Sequence, residues 1–476
     1  MDLEPIGFAT IAACAAIFVY RVRFAVWALC LALPLGAAAA IKLPAAGGAS
    51  ILPSLLIALS LIAVVTLNPK LRAIALESAR PPLPGFWMLA FTIYGIATAI
   101  FLPRIFAGMV NVYSLARVGE DIGIVSLPLS PRSSNITQSG YLVVTLLTFL
   151  SIQAIALAGG IRVIRAALLA AACATLFFAV ADIITFYAGQ AWLLGFIRNA
   201  NYRMLEAGQI GGLKRIVGSF SEAGAYSYAA LGFYAFTLSL WLNGVRPALN
   251  GTLAALLGIS LLASTSSMAY VSIALFTAVI LYGRIANLVA GRLTRQDSIF
   301  LFFMIVGPIG LIALIILAPA LWSAVIDLYD ATIVNKLATQ SGIERMRWNE
   351  HAYRAFIATS GWGTGVGSVR ASSAILANLS NVGIIGTLLF AAMIYSIVVY
   401  KGVARSEEQK TALAATHASL VLAIAACISA GGTDLGLIFA VFAGLAASAH
   451  SRAIAHHRIG PRFAYPSSPN SEPAAA

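Results

Sequence analysis

The chain has 476 residues, 60% of them hydrophobic and only 10% charged, with a mean hydropathy of +0.91. These values exclude a soluble globular protein. The net charge of +13 does not mark a nucleic-acid partner, because the basic residues are scattered over loops and the flanks of apolar runs.

Apolar runs of about 17–25 residues, the length of a membrane-crossing helix, recur from end to end. The ~10-residue alternating segments of a transmembrane β-barrel are absent. The expected fold class is therefore all-α: a polytopic membrane helical bundle in which each helix satisfies its own backbone in lipid. In chain order the spans read 6–20, 24–41, 50–67, 86–103, 141–159, 161–186, 223–243, 248–263, 267–283, 299–320, 376–400, 411–430 and 434–450. The first is short enough to be re-entrant, which makes the count twelve or thirteen. The run 248–283 exceeds one crossing and is divided by the polar break Ser264-Thr265-Ser266-Ser267. Asp2 and Glu4 stand where a basic n-region would be and no small-residue cleavage site follows, so the first span reads as retained. Residues 1–450 read as one integral membrane domain, and the Pro/Ser/Ala-rich tail 451–476 as a disordered cytoplasmic segment.

Orientation follows from lysine and arginine in the short loops. One parity set carries Arg21/Arg23, Lys70/Arg72/Arg80, Arg162/Arg165, Arg246, Arg284/Arg292/Arg295, Lys401/Arg405/Lys410 and the tail residues Arg452, Arg458 and Arg462. The opposite short loops hold only Lys42. The basic set, with the C-terminus, is expected in the cytoplasm. Three long loops, 104–140, 187–222 and 321–375, then lie outside; length exempts them from the rule, so their cations are free to do other work. Cys14, Cys30, Cys173 and Cys427 all sit in apolar segments without ligand spacing and read as small buried hydrophobes.

Few residues carry chemistry. Asp182, near the outer end of its span, calls for a cationic partner or for snorkelling to the interface. In "LKRIVGSFSEAGAYSYAALGF" (213–233), Lys214 and Arg215 precede a span and Glu222 stands at its mouth. Ser219-x-x-Glu222 fits a capping box; a carboxylate there also suits steering an arginine or taking a proton, and both readings stand. Asp327 and Asp330 build no metal constellation, and there is no His-Glu-x-x-His, Cys-x-x-Cys or Gly-x-Ser-x-Gly. No metal or cofactor is expected. His417, inside an apolar span, reads as a hydrogen-bonded core histidine.

The densest polar stretch is "GIERMRWNEHAYRAFIATSGWGTGVGSVRAS" (342–372). Residues 343–358 have helical periodicity, with Arg347, His351 and Arg354 on one side at i, i+4, i+7. A solvated amphipathic helix with a Glu350–Arg354 pair accounts for this. A phosphate site accounts for it too, because arginine's planar fork suits phosphate and the outer face lacks anionic lipid. The four alternating glycines 361, 363, 365 and 367 match neither a Walker loop nor a dinucleotide fingerprint. They suit a flexible entry to the next helix or an anion nest.

In order and spacing, the elements from about 200 to 450 resemble the O-antigen ligase / O-antigen and exopolysaccharide polymerase superfamily of bacterial envelopes. The matching pieces are Arg215, Gly218, Phe220 and Glu222; the "STSS" break; Glu344-Arg345 near Trp348; Gly361 to Gly367; and "NVGIIG" at 381–386. Two departures stand out: Arg370-Ala371-Ser372-Ser373 where a His-Asn pair often follows the glycines, and Ser221-Glu222 where Pro-Asn is usual. The resemblance implies an inner-membrane, metal-independent glycosyltransferase of the GT-C type, acting on the periplasmic face. Its donor would be a glycan on undecaprenyl pyrophosphate, and its acceptor a glycan or lipid A-core. Partners would be membrane lipid and polysaccharide export or chain-length proteins. The same likeness implies pyrophosphate contacts from Arg215, Arg345, Arg347 and Arg370, and deprotonation of the acceptor by His351 or Glu222. A lipid-linked oligosaccharide flippase and a non-catalytic export-complex component are the competing readings.

Overall fold

The computed structural model of the chain describes residues 2–43, 49–118, 121–201, 203–210, 213–317, 339–399 and 404–459, with isolated positions between 318 and 338. Asp327 and the tail beyond Ile459 fall outside the described residues. The helices are α1 (Pro5–Ala32), α2 (Pro53–Leu67), α3 (Pro69–Ser78), α4 (Pro84–Ile105), α5 (Ser133–Ile155), α6 (Ile161–Tyr187), α7 (Ala223–Leu242), α8 (Pro247–Ala263), α9 (Ser267–Val289), α10 (Arg295–Leu317), α11 (Gln340–Ala358), α12 (Ala374–Val398), α13 (Glu407–Ile428) and α14 (Gly436–Ile459). Prolines open α1 to α4 and α8, where the missing N–H had no intrahelical partner to lose.

The protein is an all-α, multi-pass membrane bundle. Among the described residues, 7 helical stretches are long and apolar enough to cross a membrane, or 8 if α2 and α3, bent by 103°, form one broken span. One of the seven, Ser133–Tyr187, has 55 residues, far more than one crossing needs. It breaks at Gly159 (φ 93) between α5 and α6. The first turn of α5 bonds residues 366–368, whereas the first turn of α6 pairs Arg162 and Arg165 with Glu408 and Glu407 at the start of α13.

α1 is also two helical segments. Arg21 inside it stands at φ 64, ψ −152. β1 (Asp2–Leu3) pairs antiparallel with β2 (Ile41–Leu43), which pairs with β3 (Ala49–Ile51). A straight helix would carry Ala32 about 40 Å from Pro5, farther than residues 33–40 reach at ~3.4 Å each. The helix therefore doubles back at Arg21, and Glu4 meets Lys42 at 2.7 Å.

Several boundaries differ from the sequence reading. Span 24–41 is helical only to Ala32. Span 376–400 breaks at Gly383 (φ 66), where the carbonyls of Gly361 and Trp362 press on the backbone. Residues 451–459, expected in the disordered tail, continue α14. Short ribbons decorate the helix ends: β4 (Asn111–Val118) with β5 (Asp121–Pro128), and β6 (Gln209–Ile210) with β7 (Leu213–Lys214).

Central α7 buries Tyr226, Phe233 and Phe236 completely, and Phe442 of α14 packs on both phenylalanines. His417 of α13 lies in this core with Nδ1 2.8 Å from Ser239 Oγ, satisfied as expected. α10 behaves differently. Asp297 and Phe300 are buried and Met304 is half-buried, but every residue from Ile305 to Ile312 is exposed. The helix is pinned at its first turns by Arg284–Asp297, 2.9 Å, and is half-buried again at 313–315.

The alternating glycines form neither a flexible entry nor an anion nest. Thr364 and Val366 are fully buried, and the strand of chain they belong to threads between α4, α5 and α12. A Cβ on Gly365 (φ +94) would stand 2.7 Å from the Thr98 carbonyl; one on Gly367 (φ +82) would stand 2.5 Å from that of Ser134. Most of its N–H groups are spent internally: Gly363 to Thr359 Oγ1, Thr364 to the Ser380 carbonyl, Gly365 to the Asn381 carbonyl, and Val369 to Asn381 Oδ1. Gly365→Ala is expected to destabilise the protein by more than the ~1–3 kcal/mol of backbone strain alone, because a carbonyl must also move. A thermal melt of detergent-solubilised protein checks this, with Gly140→Ala, which meets open space, leaving the midpoint in place.

Candidate functional site: an arginine pair above an apolar helix face

The loop 187–222 is held by one buried carboxylate. Asp182, near the end of α6, is 1% exposed. Its Oδ1 takes a bond from Arg198 Nη2 at 2.6 Å, and its Oδ2 takes Lys214 Nζ at 3.2 Å. The N–H groups of Val217 and Gly218 donate to Oδ2 at 2.8 and 3.1 Å. The expected cationic partner is thus two cations, plus the backbone of the loop. Burial lowers the pKa of Lys214, and the Asp182 charge opposes that shift. Ser219 Oγ donates to the Pro34 carbonyl, and Ala37 N–H to the Ser219 carbonyl, so the loop also sits on the chain after α1.

This framework aims Arg215, the neighbour of Lys214. Arg215 Nε donates to Thr265 Oγ1 at 3.1 Å and Nη2 to the Thr265 carbonyl at 3.3 Å. Thr265 belongs to the "STSS" break, and its φ of 49 turns that carbonyl out of the α8–α9 corner. Burial and the nearby Arg345 charge lower the pKa of Arg215; Glu222 and Tyr270 raise it. Three groups from other elements therefore lie within electrostatic reach of Arg215: Glu222 before α7, Tyr270 on α9 and Arg345 on α11.

Glu222 does not close a capping box. It is itself the N-cap of α7, extended at φ −155, and makes no side-chain cap bond; Ser219 is committed to Pro34. Its carboxylate and the Arg345 guanidinium face one another across Gly224. A Cβ there would lie 3.3 Å from Glu222 Oε1 and 4.0 Å from Arg345 Nη2. Neither forms an ion pair within 4.0 Å among the described residues, whereas Arg203 approaches Glu344 and Arg354 pairs with Glu350. The space at Gly224 is bordered by one carboxylate and one guanidinium, and Arg215 nearby makes cations the majority.

Below it runs an apolar surface. α9 starts just after Thr265 and leaves Val271, Leu275, Val279 and Tyr282 exposed, a stripe at i, i+4, i+8, i+11 on one face. Met268, Ala269, Ser272, Phe276 and Ile280 on the other face are buried. Among the described residues the stripe stays uncovered.

The remaining predicted residues lie elsewhere on α11. Arg347 is exposed and, two residues from Arg345, stands about 200° around the helix; the structure does not bring it to Arg215. Arg370 has its guanidinium carbon 5.7 Å from the Trp348 ring, on the α12 side. His351 stacks on Tyr113 of β4 at 4.1 Å, and Tyr113 meets Trp348 edge-on at 5.8 Å. His351 Nε2 is buried without a partner, behind Tyr113 rather than beside the arginine pair. Of the six residues expected to act on substrate, Arg215, Arg345 and Glu222 converge. Arg370 and His351 belong to a neighbouring strip, and Arg347 to neither.

Two contributors escaped the sequence reading. The β4–β5 hairpin, which supplies Tyr113, was legible as two β-rich runs separated by two residues including a glycine. Thr265 as a guanidinium acceptor had no local signal. A search of protein-family models, curated proteins and solved structures found no match to this chain.

Two outcomes follow from the geometry. Asp182→Asn leaves Lys214 buried without an ion-pair partner and Arg198 with only Glu206, 3.4 Å away; breaking such a pair costs about 3–5 kcal/mol, so limited proteolysis should cut within 198–222 in the variant and spare the parent. Burial, opposed by a hydrogen bond to the Asn111 backbone, lowers the pKa of His351. The unfolded state then binds more protons as pH falls through ~6.5, so stability is full above that range and declines below it. Protection factors in 343–358, taken relative to the intrinsic exchange rate at each pH, should fall from pH 7.5 to 5.5, and His351→Gln should flatten that dependence.

Proposed function

We propose that the protein transfers or polymerises glycan from a polyprenyl-pyrophosphate-linked donor at the periplasmic face of a bacterial inner membrane, as its resemblance to the O-antigen ligase and polymerase superfamily suggests. The observation that carries this reading is the convergence of Arg215, Arg345 and Glu222 at the top of an uncovered apolar stripe on α9. A diphosphate needs paired cations at the membrane boundary, and its hydrocarbon tail needs an apolar path beside them. Both lie together here.

In the proposed reaction the acceptor hydroxyl attacks the anomeric carbon, and the bond from that carbon to the phosphate oxygen breaks. The hydroxyl proton passes to Glu222. The departing pyrophosphate gains negative charge, which Arg215 and Arg345 neutralise in a partly desolvated site where such contacts are strongest. Thr265 holds the Arg215 fork in place before substrate arrives, so little reorganisation accompanies the charge shift. Glu222 is preferred over His351 as the base because it shares the space at Gly224 with Arg345, while the imidazole is covered by Tyr113.

Arg215→Ala and Arg345→Ala are each expected to lower glycan transfer by at least a hundredfold, and Glu222→Gln by a similar factor, with the proteins still accumulating in the membrane. His351→Ala should retain most activity. Purified protein in lipid nanodiscs, given a lipid-linked oligosaccharide, reads this directly. Full turnover by either arginine variant overturns the site, and absence of turnover by the parent favours a flippase or a docking component.

A further inference from the structure

Arg370 stands apart from the arginine pair, and its surroundings differ in kind. Trp348 separates it from Arg345: the two α11 residues are three apart and share a face, and the Arg370 guanidinium lies over the Trp348 ring. Trp348 is 9% exposed and braced by Tyr113, so it is a fixed platform rather than an open stacking surface. Arg370 itself is exposed and has no carboxylate within ion-pair distance among the described residues. On its outer side is the Gly431-Gly432 turn between α13 and α14. A Cβ on Gly431 would stand 3.5 Å from Arg370 Nε, and one on Gly432 would stand 3.8 Å from Gln138 Oε1. The Gln138 amide of α5 is half-buried and makes no hydrogen bond among the described residues. A side-chain-free shelf is thus flanked by one pinned, uncompensated guanidinium and one unspent amide.

We propose that this shelf is a saccharide subsite, in which Arg370 binds the carboxylate of an acidic sugar and Gln138 bonds a neighbouring hydroxyl. The inference rests on the function proposed above and adds the substrate class: a glycan carrying uronic-acid or similar carboxylate groups. A single planar fork matches a planar monoanion in bidentate fashion, whereas the doubly charged diphosphate matches the arginine pair. Cation–π contact with Trp348 holds the fork flat and reduces the ordering that binding requires. Bare glycines at 431 and 432 let a ring approach the backbone, and the amide supplies the polar direction a saccharide needs. No bond is made or broken at this subsite; it is a positioning and specificity element.

The test uses the full chain in nanodiscs, with trigalacturonic acid and the neutral trisaccharide maltotriose as probes and inorganic pyrophosphate as a third ligand. The parent should bind trigalacturonic acid at least tenfold tighter than maltotriose, with an affinity that falls as salt is raised. Arg370→Gln should remove that preference and leave pyrophosphate binding unchanged; Arg370→Lys should retain part of it. Gln138→Leu should weaken both saccharides a fewfold. Arg215→Ala should abolish pyrophosphate binding and spare the uronate. Equal binding of the two trisaccharides by the parent overturns the proposal, as does an unchanged preference in Arg370→Gln. Loss of both uronate and pyrophosphate binding in Arg370→Gln also overturns it, because Arg370 would then belong to the diphosphate site. If the parent binds uronate through Arg370 but no pyrophosphate, the subsite stands and the transfer reaction falls.

Discussion

A carboxylate buried in an apolar bundle has to be compensated, and here the compensation builds the loop. Asp182 draws Arg198 from one side and Lys214 from the other, and takes the N–H groups of Val217 and Gly218 as well. Those partners are spread over some twenty residues with little secondary structure of their own. That charge fixes the loop backbone beside Arg215, and Thr265 then holds the guanidinium. The ion pair is costly to assemble, and its value is in specifying one loop conformation rather than in net stability.

Backbone density supplies the second constraint. The chain after α11 must cross the bundle without exposing polar groups to lipid, and it does so by approaching other backbones as closely as glycine permits. Gly365 and Gly367 seat it against the carbonyls of Thr98 and Ser134, and Asn381 bonds it from both its backbone and its side chain. α11 is anchored by this crossing, so Arg345 is carried on a rigid support although its helix is not a membrane span. The site thus lies between two closely packed elements, and its floor, the exposed face of α9, is open among the described residues.

The charges on this face are divided by what holds them. Arg198 and Lys214 are consumed in structure, and Arg354 and Arg203 meet glutamates. Arg215 and Arg370 are positioned by neutral partners, a threonine and a tryptophan, and Arg345 faces Glu222 across Gly224 without an ion pair. None of the three is consumed by an ion pair among the described residues, so their charge is open to a ligand.

The sequence by itself determined the apolar runs, and with them the all-α membrane class, because the length and hydrophobicity a lipid-crossing helix requires are local properties. It also determined that Asp182 needs a cation or the interface, and that Arg215, Glu222 and Arg345 are unusual in so apolar a chain. Only the tertiary structure decided which of these meet. Arg345 and Arg347 are equivalent in composition and separated by rotation about α11. His351 is withdrawn by a tyrosine from a distant hairpin. The glycines became a packing device because of carbonyls on three other helices. Contacts between segments hundreds of residues apart depend on how helices cross and where they break, at Arg21, Gly159 and Gly383. Hydrophobic periodicity carries no information about those angles, since lipid accepts an apolar face in any direction.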